Sequence, residues 1–134
     1  MRGNCQKKCI VYRAEVKTSN AKKIYYGVCE TTFKKRYSNH LKSFNHAKYR
    51  NETSLSKYIW QLKEQNKQYQ IAWSTHGRAN PYQCGSRRCS LCIAERLATI
   101  KEDPAKLINE RANNGIFLRL HASLWIFLAY KLSD

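Results

Sequence analysis

The chain has 134 residues, 43% of them hydrophobic, which is enough for one small domain and leaves little room for a second. Lys and Arg number 25 against 9 Asp and Glu, a formal charge of +16. So strong a cationic excess destabilises a compact chain unless a polyanion neutralises it, which makes nucleic acid the first expected partner and an anionic membrane the second.

The opening "MRGNCQKKC" is basic, but no apolar run follows it, so no secretory leader is expected. Residues 9–16, "CIVYRAEV", alternate Ile10, Tyr12, Ala14 and Val16 against Val11, Arg13 and Glu15, the period of a strand. A polar, turn-rich "KTSNAKK" leads into "IYYGVC", and the two apolar runs predict an antiparallel hairpin. Tyr12 and Tyr25 then fall on consecutive strands, placed to face each other across the pair.

Thr31 or Thr32 can cap a helix over residues 33–44, with Phe33, Tyr37, Leu41 and Phe44 as its apolar stripe. Its other face holds Lys34, Lys35, Arg36 and Lys42, and no acid occurs between residues 31 and 51. A loop, "NHAKYRNE", precedes a second helix over about 54–65 with Leu55, Tyr58, Ile59 and Leu62 facing in. "YQIAWST" alternates and predicts a third strand. The Gly-, Pro- and Arg-containing "HGRANPYQCGSRRC" is a loop. "SLCIAERLATIK" predicts a helix, and Pro104 can start a short one through "AKLINERA".

From residue 113 the chain changes character, and "GIFLRLHASLWIFLAYKLSD" is largely apolar. A membrane span needs roughly 20 apolar residues, and Arg119 and His121 interrupt this one. The expectation is a domain over residues 1–112 and a hydrophobic extension over 113–134 that covers an apolar surface or drives self-association, with no membrane span.

Arg36 and His40 stand one turn apart on one helix face. Alone, the pair reads as a solvated basic face. At a helix start beside strand-borne tyrosines, it also reads as a phosphate-holding fork. Metal-assisted phosphodiester chemistry needs a hard anionic ligand. Glu95 stands in an otherwise apolar stretch with Ile93, Leu97, Ala98 and Ile100, either half-exposed beside the stripe or pointing into a cleft. Cys5-x3-Cys9 precedes the first strand and Cys89-x2-Cys92 opens the Glu95 helix. If those two places meet, four thiolates make a closed structural zinc site; otherwise they are free thiols. Cys84 is a spare ligand and Cys29 a small buried hydrophobe. Cysteine pairs of this kind indicate a reducing, intracellular compartment.

A tyrosine on strand one in "IVY", a Y-x-G element in "YYG", "RYSNH" opening a helix and a lone later glutamate resemble the GIY-YIG endonuclease superfamily. The stretches "YYGVCETTFKKRYSNH", "LSKYIWQLK", "RANPY" and "CSLCIAER" are most similar to the GIY-YIG domains of Penelope-like retroelements. The similarity runs from about Cys5 to Asn109, with Ile10 standing where the family motif has its first glycine. Beyond Arg111 the chain departs from the polar, basic end of those domains.

The resemblance implies an α/β (α+β) fold, a three-stranded antiparallel sheet flanked by helices. It implies a DNA endonuclease dependent on Mg²⁺ or Mn²⁺, nicking for mobile-element insertion in the nucleus. Glu95 would ligate the metal, Tyr12 would assist deprotonation of water and Tyr25 would position it. Arg36 would stabilise phosphate charge, His40 would contact phosphate or orient the tyrosines, and Asn109 would lie near the site. Lys34, Lys35 and Lys42 would meet DNA, and Cys5, Cys9, Cys89 and Cys92 would hold Zn²⁺. The alternatives are a catalytically inert nucleic-acid-binding relative and a zinc-stabilised interaction module.

Overall fold

A computed structural model describes residues 6–85 and 87–110. Cys5 and the 113–134 extension, with its proposed role in self-association, lie outside the described residues. The elements run β1 (Ile10–Lys17), β2 (Lys22–Cys29), α1 (Phe33–Asn45), a 3-10 turn (Ala47–Tyr49), α2 (Ser54–Glu64), β3 (Gln70–Arg78) and α3 (Ser90–Lys101). The three strands form one antiparallel sheet in the order β2-β1-β3, with helices on both faces: an α+β architecture.

The hairpin forms where the alternation predicts it. Thr18 closes the loop, its amide donating to the Ala21 carbonyl at 2.9 Å and its hydroxyl oxygen accepting from the Ala21 amide at 3.1 Å. That turn sets Lys17 opposite Lys22, a like-charge pair that would weaken the ladder. Glu15 resolves the conflict. Its carboxylate takes Lys17 at 3.2 Å, Lys22 at 3.1 Å and Arg13 at 2.7 Å. Burial opposes its ionisation, but Lys22, Arg13 and Lys17 outweigh burial and hold its pKa at about 2.

Central strand β1 is buried on both faces, which its alternating polarity conceals. One face packs Ile10, Tyr12, Ala14 and Val16 with Tyr25, Phe33 and Phe44 and with Leu55, Ile59 and Leu62 of α2. On the other, Val11, Ile24 and Tyr26 meet Leu91 and Ala98 of α3 and Leu107. Helix α2 opens with a capping box, Thr53 and Ser56 satisfying each other's amides at 3.0 Å. Trp60 fastens α2 to the end of α1 by donating from Nε1 to the Ser43 carbonyl at 2.8 Å.

Three sequence expectations change. Thr32 occupies the α1 N-cap position, yet its side chain makes no capping bond; its carbonyl accepts from the Lys35 and Arg36 amides instead. The buried face of α1 is Phe33, His40, Ser43 and Phe44, while Tyr37 and Leu41 are exposed. Helical spacing selected the apolar residues, but the sheet's polar centre draws His40 inward. Pro104 does not start a helix over residues 104–109. Residues 104–106 form a turn, and Leu107 pairs in parallel with Ile24 along the outer edge of β2. The open ladder edge of β2 supplies hydrogen bonds that a short helix there would forgo. Among the described residues no helix is long and apolar enough to cross a membrane.

Candidate active site

Tyr12 lies at the centre of the sheet, fully buried, and its position depends on a glycine across the ladder. Register pairs Tyr12 with Gly27, not with Tyr25 as facing strands suggested. A Cβ at Gly27 would stand 2.3 Å from the Tyr12 hydroxyl oxygen and 2.5 Å from Cζ. The phenol therefore lies across the space above Gly27, and only glycine leaves that space open. Tyr25 pairs with Ala14 and is Tyr12's diagonal neighbour on the same face, with ring centroids 6.3 Å apart.

Only three residues separate the end of β2 from the start of α1, which brings its first turns over this face. Arg36 Nε donates to the Tyr12 oxygen at 3.1 Å, and that oxygen lies 2.7 Å from His40 Nε2. Burial, reinforced by Arg36, pushes the His40 pKa down to about 3, so the imidazole is neutral. The Tyr12 oxygen already accepts from Arg36. Its second lone pair and its own proton remain, so the contact with Nε2 fits either imidazole tautomer, with Tyr25 as a further partner of the phenol. Burial also drives the Tyr12 hydroxyl well above the ordinary tyrosine range, Tyr25 adding to the shift and Arg36 opposing it. Tyr25 is raised mainly by burial; Arg36 opposes that shift and the negative charge of Glu95 adds to it.

Half-buried on α3, Glu95 therefore acts electrostatically on the same tyrosine that Arg36 acts on. Its helix is less apolar around it than the sequence implied. Leu91, Ala98 and Thr99 face the sheet, whereas Ile93 and Leu97 are exposed. Of the six residues expected in the catalytic group, the fold brings Tyr12, Tyr25, Arg36 and His40 into direct contact and sets Glu95 within their field.

Asn109 takes a different position. Its Oδ1 accepts from the Tyr26 amide at 2.9 Å and its Nδ2 donates to the Tyr26 carbonyl at 2.7 Å. With Ile24 bonded to Lys106 and Ile108, the side-chain amide continues the β2 ladder like a further peptide group. Asn109 fixes the strand that bears Tyr25 and Gly27 by holding the backbone between them.

Lys34, Lys35 and Lys42 are exposed on α1, and the Lys42 ammonium stands 4.3 Å from the centre of the Tyr49 ring. Cys9, at a backbone φ of 50°, directs its thiol to the Glu30 carbonyl at 3.7 Å. The Glu30 charge also acts on Cys89 and Cys92. Cys89 caps α3, its sulfur accepting from the Cys92 amide at 3.2 Å, and that bonding to Cys92 holds the Cys89 thiol below its usual pKa. Among the described residues no group of three or more His, Cys, Asp or Glu is close enough to hold a metal ion. Cys9, Cys89 and Cys92 therefore do not form three sides of a thiolate shell, and Cys5, the fourth expected ligand, lies outside the described residues. Glu95 supplies one carboxylate, and Mg²⁺ is an ion that keeps several waters and binds through one or two.

Sequence reasoning noted Gly27 but assigned it no part, and it passed over Trp73. The indole sits 5.2 Å from His40 and 5.9 Å from Tyr12 between ring centroids, closing the site on the β3 side. The Y-x-G spacing was the available signal for Gly27; Trp73 is indistinguishable in sequence from an ordinary core residue of an alternating strand.

No protein-family model, no curated protein and no solved structure matches this chain.

Proposed function

We propose that the chain is a GIY-YIG-type, divalent-metal-dependent DNA endonuclease that nicks the phosphodiester backbone, consistent with mobile-element insertion in a nucleus. One observation carries the reading: a buried tyrosine hydroxyl held between a guanidinium and a neutral imidazole, with a second tyrosine and a carboxylate charge beside it. Packing alone does not require this arrangement. A structural tyrosine needs one partner, and even a half-buried arginine such as Arg36 is costly unless its charge is used.

In this reading Arg36 holds a non-bridging phosphate oxygen and stabilises the charge that builds there in the transition state. Tyr12 accepts the proton of the attacking water as its own hydroxyl proton passes to His40 Nε2. Arg36 and burial oppose that second transfer in the resting site, and a bound phosphate offsets the Arg36 contribution. Proton movement is thereby coupled to occupancy by the anion. Tyr25 positions the water. Glu95 would hold a Mg²⁺ or Mn²⁺ ion, which supplies Lewis-acid polarisation of the phosphate and of the water. Lys34, Lys35 and Lys42 would contribute to sequence-independent backbone contact. Structural Zn²⁺ held by Cys5, Cys9, Cys89 and Cys92 belongs to the same proposal.

The test is conversion of supercoiled plasmid to open circles in the presence of Mg²⁺, compared between the wild-type chain and Glu95→Ala. Nicking at equal rates by the two proteins would overturn the assignment.

A further inference from the structure

Tyr37 follows Arg36 on α1, and its side chain is 36% exposed, with Leu41 one turn further on at 40%. Exposed tyrosines are ordinarily free to change rotamer; this one is braced. Its ring lies 6.1 Å from Phe33 at 34° and meets Trp73 nearly at right angles, 5.7 Å away. Trp73 is in turn packed on Phe33 at 5.7 Å and on His40 at 5.2 Å. The aromatic lattice that surrounds Tyr12 and His40 thus continues outward and surfaces at Tyr37. The cost of ordering that side chain is met in the unbound protein, which is what a recognition surface needs.

The surroundings select the occupant. Lys34, Lys35 and Lys42 are exposed on the same helix, and no acid occurs anywhere along α1. A second copy of the chain would bring two cationic rims together, whereas a nucleic acid complements the charge. Continuous duplex offers phosphates and base edges but keeps its base faces stacked. A strand with unpaired bases offers both phosphate and π-face, and a cationic track with an aromatic platform is the combination that binds it.

We propose that Tyr37, braced by Phe33 and Trp73 and extended by Leu41, is a stacking platform for an unpaired base next to the phosphate held at Arg36. The substrate class is then DNA with single-stranded character at the cleaved position rather than uninterrupted duplex. This rests on the nuclease reading, but binding alone tests it.

Fluorescence anisotropy without added Mg²⁺ or Mn²⁺ would compare a blunt duplex with the same duplex interrupted by a short gap carrying 2-aminopurine. Wild type should bind the gapped DNA about tenfold more tightly, within the range of one base–aromatic stack, and quench the 2-aminopurine. Tyr37→Ala should remove the preference and the quenching while leaving blunt-duplex affinity unchanged, and Tyr37→Phe should retain both. Equal wild-type affinity for the two DNAs, or equal weakening on both by Tyr37→Ala, would overturn the platform. Self-association abolished by Tyr37→Ala with the DNA preference intact would likewise overturn it in favour of an interface between copies. Absence of binding to any DNA would instead remove the nuclease reading on which it rests.

Discussion

The Tyr12 phenol occupies the space that a side chain at Gly27 would need. A Cβ there would stand 2.3 Å from the hydroxyl oxygen, far inside van der Waals contact. The same oxygen bridges Arg36 and His40, so a single cross-strand glycine governs the geometry of the whole candidate site. The Y-x-G element is thereby a steric requirement imposed by strand one on strand two.

Gly27→Ala should displace the phenol from Arg36 and His40, lower stability by about 1–3 kcal/mol as overpacking does, and abolish nicking. Gly77→Ala is the control, because a Cβ there meets nothing within 4 Å. Denaturant unfolding of both variants checks the prediction, with Gly77→Ala expected to remain within about 0.5 kcal/mol of wild type. Similar losses in both would mean that strand glycines matter only for backbone freedom.

His40 predicts an acid limb to stability. Its folded pKa is depressed from 6.5 to about 3 by burial, with Arg36 contributing. Below the unfolded value the unfolded chain takes up a proton that the folded chain refuses. The associated stability is therefore fully present above pH 6.5, falls as pH drops toward 3 and changes no further below that. Between pH 7 and pH 5 the loss should be roughly 2 kcal/mol, from about 1.4 kcal/mol per pH unit below the unfolded pKa. His40→Gln keeps an acceptor for Tyr12 and removes the titration. Chemical unfolding at the two pH values should show the smaller change in the variant, and an unaltered change would locate the acid sensitivity elsewhere.

Glu95→Ala should abolish nicking by at least about a hundredfold, a barrier increase of roughly 2.7 kcal/mol, while DNA affinity holds or tightens with one negative charge gone. Arg36→Ala should match the loss of rate for a different reason, the transition-state charge left without its fork. Plasmid nicking and filter binding measured in parallel separate rate from affinity. Loss of affinity in step with rate for Glu95→Ala would contradict its assignment as a metal ligand.

Asn109 predicts a structural phenotype. Asn109→Ala removes two bonds to the Tyr26 backbone, at 2.9 and 2.7 Å, and leaves that peptide's donor and acceptor unpaired. The expected cost is about 2–4 kcal/mol in unfolding experiments, from about 1–3 kcal/mol for each unsatisfied buried group with partial relief by water. Hydrogen exchange at the Tyr26 amide should accelerate more than exchange in β1. Full stability with lost nicking would make Asn109 a participant in the chemistry rather than a clamp on the strand.

Metal analysis of protein purified without chelators should find about one zinc per chain, since a closed four-thiolate shell holds a single ion. Cys92→Ser should then lower stability by several kcal/mol and release the zinc. Chains free of zinc with unchanged melting would leave Cys9, Cys89 and Cys92 as free thiols.

Much of this molecule is legible in its sequence because the information is local. Alternation in "CIVYRAEV" and "QIAWST", the turn-forming "TSNA" and the uninterrupted run "SLCIAERLATIK" determine the strands, the hairpin and α3, which the structure places at Ile10–Lys17, Gln70–Arg78 and Ser90–Lys101. Chain order also brings Tyr25 and Arg36 within one short connection of each other. What tertiary structure alone decided is which surfaces turn inward and how the strands align. Hydrophobic spacing put Tyr37 and Leu41 inside α1, but burial depends on the partner surface, and a sheet presenting the Tyr12 hydroxyl accepts His40 in preference to leucine. Register placed Gly27, not Tyr25, opposite Tyr12, and a shift of two residues would have closed that space with a side chain. The open edge of β2 turned a segment that Pro104 seemed to start as a helix into a strand partner, with Asn109 as its last rung. Each of these depends on contacts between residues far apart in the chain, and residue type and local period carry no information about them.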